Sequence, residues 1–413
     1  MPIDECLEEV TFFQFVLSHK WYAVALLTLP LIFSSQIASA APKPVVVKAM
    51  VAMNLATPIT SDTKMLVAGP LIVLLNDSSV RAIGADGAEK WRLALTQGAS
   101  SIATAMAADT AGNIWIAGSS ANARVVEPSA VPTSAPVNPD NVVVDPKVPV
   151  RADLTLATVW KISNTGALLS TFTADNATAL LVNSIAVNAK GFTLGGINAT
   201  EAGNSGVIIS SDLDGKFGKP IYLGAADTSI EGVVRGTDSS VYAIGSSTET
   251  LAGKKIAGIR DGIIAKYSST GKLTALVRSS VAKGKREWTS ATNALFLVGP
   301  VQTGTKIESA LTRFATNLSP IWTYRFASTG ATYAALGPTG TQFAAFTSKS
   351  AIKGISNWKP SKPTALLLTF DSKGAIADAR TASGVPLALG YSKDLGTVLM
   401  SSGQTAVSIF RLT

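Results

Sequence analysis

Beyond residue 40 the chain is a succession of short apolar runs separated by polar turns, and the runs group into one recurring unit. The unit has an apolar strand, a polar turn, a second strand that often ends in Gly-Ser, a variable loop, and two further strands joined by a turn containing glycine. The second strand is clearest in Ile114-Trp-Ile-Ala-Gly-Ser-Ser120 and Val241-Tyr-Ala-Ile-Gly-Ser-Ser247. The later hairpin is clearest in Val159-Trp-Lys-Ile-Ser-Asn-Thr-Gly166, Ile263-Ile-Ala-Lys-Tyr-Ser-Ser-Thr-Gly271 and Leu366-Leu-Leu-Thr-Phe-Asp-Ser-Lys-Gly374. Glycine suits such turns because its backbone reaches positive φ without steric cost.

The turn position falls at Gly87, Gly166, Gly215, Gly271, Ser319 and Gly374, at spacings of 79, 49, 56, 48 and 55 residues. The long first interval contains residues 121–150, a stretch with six prolines that reads as an extended loop inserted in the second unit. Without it the period is about fifty residues, the length of a four-stranded propeller blade. Six turns mark six blades, and a seventh begins at Val385 with strands over 385–389, 397–401 and 406–412. The apolar segment 44–53 is expected to supply that blade's missing strand, so that no long sheet edge stays open. The expected fold is therefore all-β: a seven-bladed β-propeller of four-stranded blades, one domain over 41–413, with the N-terminal strand completing the last blade.

The repeat resembles the bacterial propeller-repeat families, in which a Gly-Asn-x-Tyr-Val-x-Gly strand is followed by an Asp-x-Phe-x-x-Lys-x-x-x-x-Gly hairpin. Gly112-Asn-Ile-Trp-Ile-Ala-Gly118 and Asp261-Gly-Ile-Ile-Ala-Lys-Tyr-Ser-Ser-Thr-Gly271 carry the likeness. Val80-Arg-Ala-Ile-Gly-Ala-Asp-Gly-Ala-Glu-Lys-Trp91 is similar to the quinoprotein-type repeat, whose turn glycine is followed by a tryptophan. The likeness implies a fold alone, because these families host many functions.

Residues 1–40 read differently. An uncharged apolar run over 21–33 follows His19 and Lys20 and leads to Ala38-Ser-Ala40, the pattern of a secretory signal cleaved after Ala40. An uncleaved anchor is the alternative and the one expected route to a membrane. The stretch ahead of the run is long and acidic, with Asp4, Glu5, Glu8 and Glu9, so translation is expected to start near Val16 rather than at Met1. Cleavage would remove Cys6 and His19, the one cysteine and the one histidine of the chain, and would raise the formal net charge of +8 by three, to +11. Export without disulfides points to a bacterial envelope or exterior. A composition of 47% hydrophobic and 15% charged residues, with mean hydropathy +0.31, excludes a disordered chain.

Loss of Cys6 and His19 excludes Ser-His-Asp and Cys-His catalysis and zinc sites built on those side chains. The quinoprotein dehydrogenases of similar repeat need a vicinal cysteine pair or a histidine base, so those activities fail with it. Ser210-Ser-Asp-Leu-Asp-Gly-Lys-Phe217 has the wrong spacing for a sialidase box. Carboxylate chemistry stays open. Glu231 lies on an expected innermost strand, with Asp227 at its entrance and Asp261 in a neighbouring loop. The structural alternative pairs Glu231 with Arg235, four residues on and on the same face of a regular strand. No cofactor is expected; calcium is the one metal left open, since it accepts oxygen ligands, but Asp212-Leu-Asp-Gly215 suits a hairpin better than a calcium loop.

In a four-stranded blade the loop between the second and third strands and the link to the next blade leave on one face. That rule groups Lys254, Lys255, Arg260, Lys283, Lys285 and Arg286 with Lys349, Lys353, Lys359 and Lys362 in a basic arc containing Trp288 and Trp358. Cations beside aromatic planes suit an anionic sugar chain; the structural alternative has solvated lysines and tryptophans that cover the core edge. The expected function is non-enzymatic binding of an anionic polysaccharide, or of an envelope protein partner, by an exported monomer. A carboxylate-dependent glycan hydrolase or lyase on the propeller axis is the alternative. No nucleic-acid-binding motif is present, and export argues against such a partner.

Overall fold

The computed structural model describes residues 44–95, 100–122, 151–404 and 406–412. The expected signal segment with Cys6, His19 and the Ala40 cleavage site lies outside the described residues, as do residues 123–150 of the inserted loop. Among the described residues every regular element is a β-strand except a short 3-10 turn at Pro338–Gly340.

Four consecutive antiparallel blades come first. The first is Lys64–Ala68, Leu71–Asn76, Ser79–Ile83 and Glu89–Ala94; the second is Ser101–Ala108, Ile114–Ser120, Leu156–Ile162 and Leu168–Asp175. The third is Ala179–Asn188, Gly191–Thr200, Gly203–Ser211 and Ile221–Leu223, and the fourth is Thr228–Arg235, Val241–Ser247, Asp261–Tyr267 and Leu273–Ser279. The last blade has Val385–Ser392, Gly396–Ser402, Val407–Leu412 and, from the other end of the chain, Val51–Ala52. The middle strands are buried on both faces, which is why Leu71-Ile-Val-Leu-Leu75 and Ile114-Trp-Ile-Ala117 are continuous apolar runs rather than alternating ones.

Five four-stranded blades are present, not the seven expected. The two further units expected over 284–382 are joined in one ten-stranded sheet. The join is Pro320–Leu336, a single strand of 17 residues. Its first part pairs with Lys306–Phe314 and its second with Gln342–Ser348. Turn spacing counts hairpins, and it does not register a strand that runs unbroken where a link is expected. The segment 44–53 also divides. Val45–Ala49 lies parallel to Ile376–Ala382 on the large sheet, and Val51–Ala52 pairs antiparallel with Val407–Leu412.

The first strands pack side by side in a closed circuit. It runs from Lys64–Ala68 through Ser101–Ala108, Ala179–Asn188 and Thr228–Arg235, then through Ser290–Ala291 and Pro320–Leu336 to Val385–Ser392, which returns to Lys64–Ala68. Apolar clusters fill the space between neighbouring sheets; Ile72 and Leu74 of the first blade meet Val398, Met400 and Ile409 of the last. The hairpin glycines belong to the same packing. Gly166 sits at φ +89°, and a Cβ there would lie 2.7 Å from Trp91 Cγ on the preceding blade. Gly374 repeats this against Trp322, while Phe172 and Ile221 occupy the matching places over Gly215 and Gly271. Trp91 Nε1 then donates to Asn164 O at 2.9 Å. The glycine thus serves the turn and also makes room for its neighbour's outer strand.

Candidate functional site

Where the circuit of first strands meets the long connections there is a pocket of about 470 Å³. Ile102, Arg151 and Leu154 from the second blade and Leu181, Ile197 and Asn204 from the third form one side. The fourth blade gives Asp227, Thr228, Ser229, Glu231, Ser246 and Arg260, and Glu287 and Thr289 enter from the large sheet. Arg151 also stands where the inserted loop rejoins the described chain, bonded to Asp153 and, at 2.8 Å, to Ser100 Oγ.

Glu231 reaches the pocket through a β-bulge. The pairing of Thr228–Arg235 with Val241–Ser247 slips between Ile230 and Gly232, so Glu231 is the extra residue and is re-aimed. Equivalent slips fall at Thr104 in the second blade and Asn183 in the third. These residues link the blades in sequence: Lys64 Nζ donates to Thr104 O, Thr104 Oγ1 donates to Val182 O, and Asn183 Nδ2 donates to Ile230 O at 3.1 Å. The bulge also removes the expected Glu231–Arg235 pair, because one extra residue reverses the two-residue alternation. Arg235 instead donates to Asn188 Oδ1 at 3.1 Å and Thr193 Oγ1 at 2.8 Å.

Burial raises the Glu231 pKa above the ordinary carboxylate value, and neighbouring Glu287 raises it further, against a Ser229 hydrogen bond and the charges of Arg260 and Lys64. Lys64 keeps contact with solvent, yet the protein crowding its ammonium lowers its pKa, with Glu231 acting in the opposite direction. Arg260 is shared: Nη2 bonds Asp227 Oδ2, Nη1 bonds Ser246 Oγ at 3.2 Å, and Nε lies 3.5 Å from Glu287 Oε1. Asp227 is further fixed from behind. The buried Glu249 carboxylate accepts from the backbone N–H groups of Ala225, Ala226 and Asp227 and from Thr228 Oγ1, which locks the entry of the strand that carries Glu231.

The three carboxylates expected near one another therefore separate. Asp227 and Glu231 line the pocket. Asp261 is fully buried elsewhere, accepting from Ala257 and Gly258 N–H, each at 3.0 Å, and from Arg278 Nη1 at 3.2 Å, and it braces the loop ahead of its own strand.

The basic arc also divides. Lys254, Lys255, Lys283, Lys349, Lys353, Lys359 and Lys362 are exposed, and Lys285 is half-buried. Trp288 and Trp358 are interior, 0% and 8% exposed, so neither offers a face for stacking on a sugar. Trp288 meets Phe314 edge-on at 5.9 Å, and Trp358 Nε1 donates to Ser348 Oγ at 2.9 Å. Arg286 is buried over the Trp288 ring at 4.2 Å, and burial pulls its pKa down to about 10. Sequence reading missed Glu287, Ser229, Lys64 and the apolar wall. The usable signal was position, since most lining residues open a first strand or precede a third. Among the described residues no group of three or more His, Cys, Asp or Glu is placed to hold a metal ion, and no helix is long and apolar enough to cross a membrane.

No family model matches the chain, and no curated protein matches it significantly. Solved structures similar to it include streptogramin B lyase, at 10% identity over 88% of this chain and 97% of that one, with TM-score 0.48. They also include BamB from Moraxella catarrhalis, at 11% identity over 88% and 100%, with TM-score 0.43. A third is BBS1N in complex with ARL6DN, at 11% identity over 89% and 98%, with TM-score 0.48. Streptogramin B lyase and BamB are β-propeller proteins. Likeness at this level brings no ligand or activity to this chain, and the fold rests on its own sheets.

Proposed function

We propose that this chain is an exported, non-catalytic binding propeller that holds an anionic glycan across the face from which its long connections emerge. The observation that supports the reading is the set of exposed lysines on those connections. Lys254 and Lys255 lie on the connection that leads to Arg260 and Lys283 on the one that leads to Glu287, both residues of the pocket, and Lys349, Lys353, Lys359 and Lys362 crowd a single loop. Among the described residues none of these seven makes an ion pair with an acidic side chain. Uncompensated cations on one face attract a polyanion at long range, and salt weakens the attraction.

The test is calorimetric titration with an acidic polysaccharide such as polygalacturonate. Replacing Lys349, Lys353, Lys359 and Lys362 together by Ala removes four exposed contacts of about 0.2–1 kcal/mol each, so affinity should fall at least about fourfold and its salt dependence should flatten. Unchanged affinity in that variant overturns the reading.

A hydrolase or lyase on the axis is the second reading, favoured by the burial of Glu231 beside Glu287. A screen of glycan substrates decides between the two. Turnover that disappears in Glu231→Gln supports catalysis, and a parent protein without turnover supports binding alone.

A further inference from the structure

The pocket and the loops around it differ in chemistry. The loops offer exposed ammonium groups, whereas the pocket offers carboxylates above an aliphatic wall. We propose that the pocket is a binding site for a small organic ammonium ion, with the cationic group between Glu231 and Glu287 and the hydrocarbon body against Ile102, Leu154, Leu181 and Ile197. This site is separate from the glycan reading and does not depend on it.

Three observations carry the assignment. The volume of about 470 Å³ falls within the range of small-ligand sites, and the wall is contributed by two blades, so the hydrocarbon part meets a preformed surface. Glu231 and Glu287 come from different sheets and line the same pocket, where the Glu287 charge acts on Glu231. Of the two arginines that line the pocket, Arg260 is held by Asp227 and Ser246 with its Nε 3.5 Å from Glu287 Oε1, and Arg151 is paired with Asp153. A carboxylate that is half-buried, beside a second one, without a dedicated cation, gains most from a ligand that supplies one. The apolar wall favours an amine over a metal ion, as does the engagement of the third pocket carboxylate, Asp227, by Arg260; among the described residues no group of three or more His, Cys, Asp or Glu is placed to hold a metal.

The site also has a direction of pH dependence. The groups around Glu231 are Ser229 on its own strand, Glu287, Arg260, Asp227 and Arg151 in the pocket lining, and Lys64 from the first blade. An aliphatic amine stays charged across pH 5 to 8, whereas Glu231, with its raised pKa, gains a proton as the solution is acidified. Affinity should fall on acidification.

The experiment is calorimetric titration of the full chain with cyclohexylamine and with cyclohexanol, which share a body and differ in charge. At pH 7.5 the amine should bind at least tenfold more tightly than the alcohol, and more weakly at pH 5. Glu231→Gln should lower amine affinity at least tenfold. Glu287→Gln, at a more exposed carboxylate, should do the same and keeps the test valid if the first variant folds poorly. The four-lysine variant should bind the amine as the parent does, so failure of glycan binding leaves this result intact. Equal affinity for amine and alcohol, no amine binding, or unchanged binding in both glutamine variants would overturn the assignment.

Discussion

A Cβ on residue 166 would lie 2.7 Å from the Trp91 ring, and the backbone there is held at φ +89°. Gly166→Ala therefore combines left-handed strain with overpacking and should cost at least about 2 kcal/mol. Gly253 is the control, since it has φ +76° and an added methyl group would meet nothing within 4 Å, so Gly253→Ala should cost only about 1 kcal/mol. Urea unfolding of both variants measures the difference; equal losses would mean that the tryptophan contact contributes nothing. The turn glycines were legible in the sequence because each has a local steric reason. The tryptophans were misplaced because adjacency to a cation says nothing about direction. Strand alternation held a better signal: Arg286 and Trp288 are two residues apart and share the inward face, while Glu287 between them is only half-buried and lines the pocket.

At the scale of the strand, the bulge in the fourth blade decides that Glu231 enters the pocket. An alternating pattern shows which face is buried but not where an extra residue is inserted, so Glu231 was assigned to an innermost strand while its pairing with Arg235 was drawn on a periodicity that the bulge breaks. The consequence is measurable without a ligand. A carboxyl whose pKa is raised on folding holds its proton more tightly in the native state than in the unfolded one. Its contribution is most favourable below the unfolded pKa and is lost as pH rises through the folded pKa. Glutamine cannot ionise and escapes that loss. Glu231→Gln should therefore be more stable than the parent at pH 8, with the advantage shrinking on acidification and gone near pH 4, about the ordinary glutamate value. Urea midpoints at pH 4, 6 and 8 supply the comparison, and a difference that does not change with pH would remove burial as the cause.

For the molecule as a whole, the decisive feature is how the circuit of sheets is joined where the two ends of the described chain meet. The segment 44–53 was legible as a closing strand because it is apolar and has no partner nearby in sequence. Its partner was only half legible, since two sheets offer an open edge there and a strand pattern does not choose between them. The structure uses both. Met50 N–H donates to Thr381 O at 2.8 Å on the large sheet, and Met53 N–H donates to Ile409 O at 2.7 Å on the last blade, with the Met50 side chain buried between the two. Removal of residues 44–53 would take away both ladders and this side chain, exposing Ile376–Ala382 and Val407–Leu412 as unpaired edges. Loss of the methionine side chain alone is worth about 2–5 kcal/mol, and the lost ladder bonds add about 1 kcal/mol each. The shortened chain should therefore unfold at much lower urea than Met50→Ala, and light scattering should show it associating as its concentration rises. If the deletion costs no more than Met50→Ala and the protein stays dispersed, the strap is a passive tail, and the ring is closed by the apolar contact between the first and last blades alone.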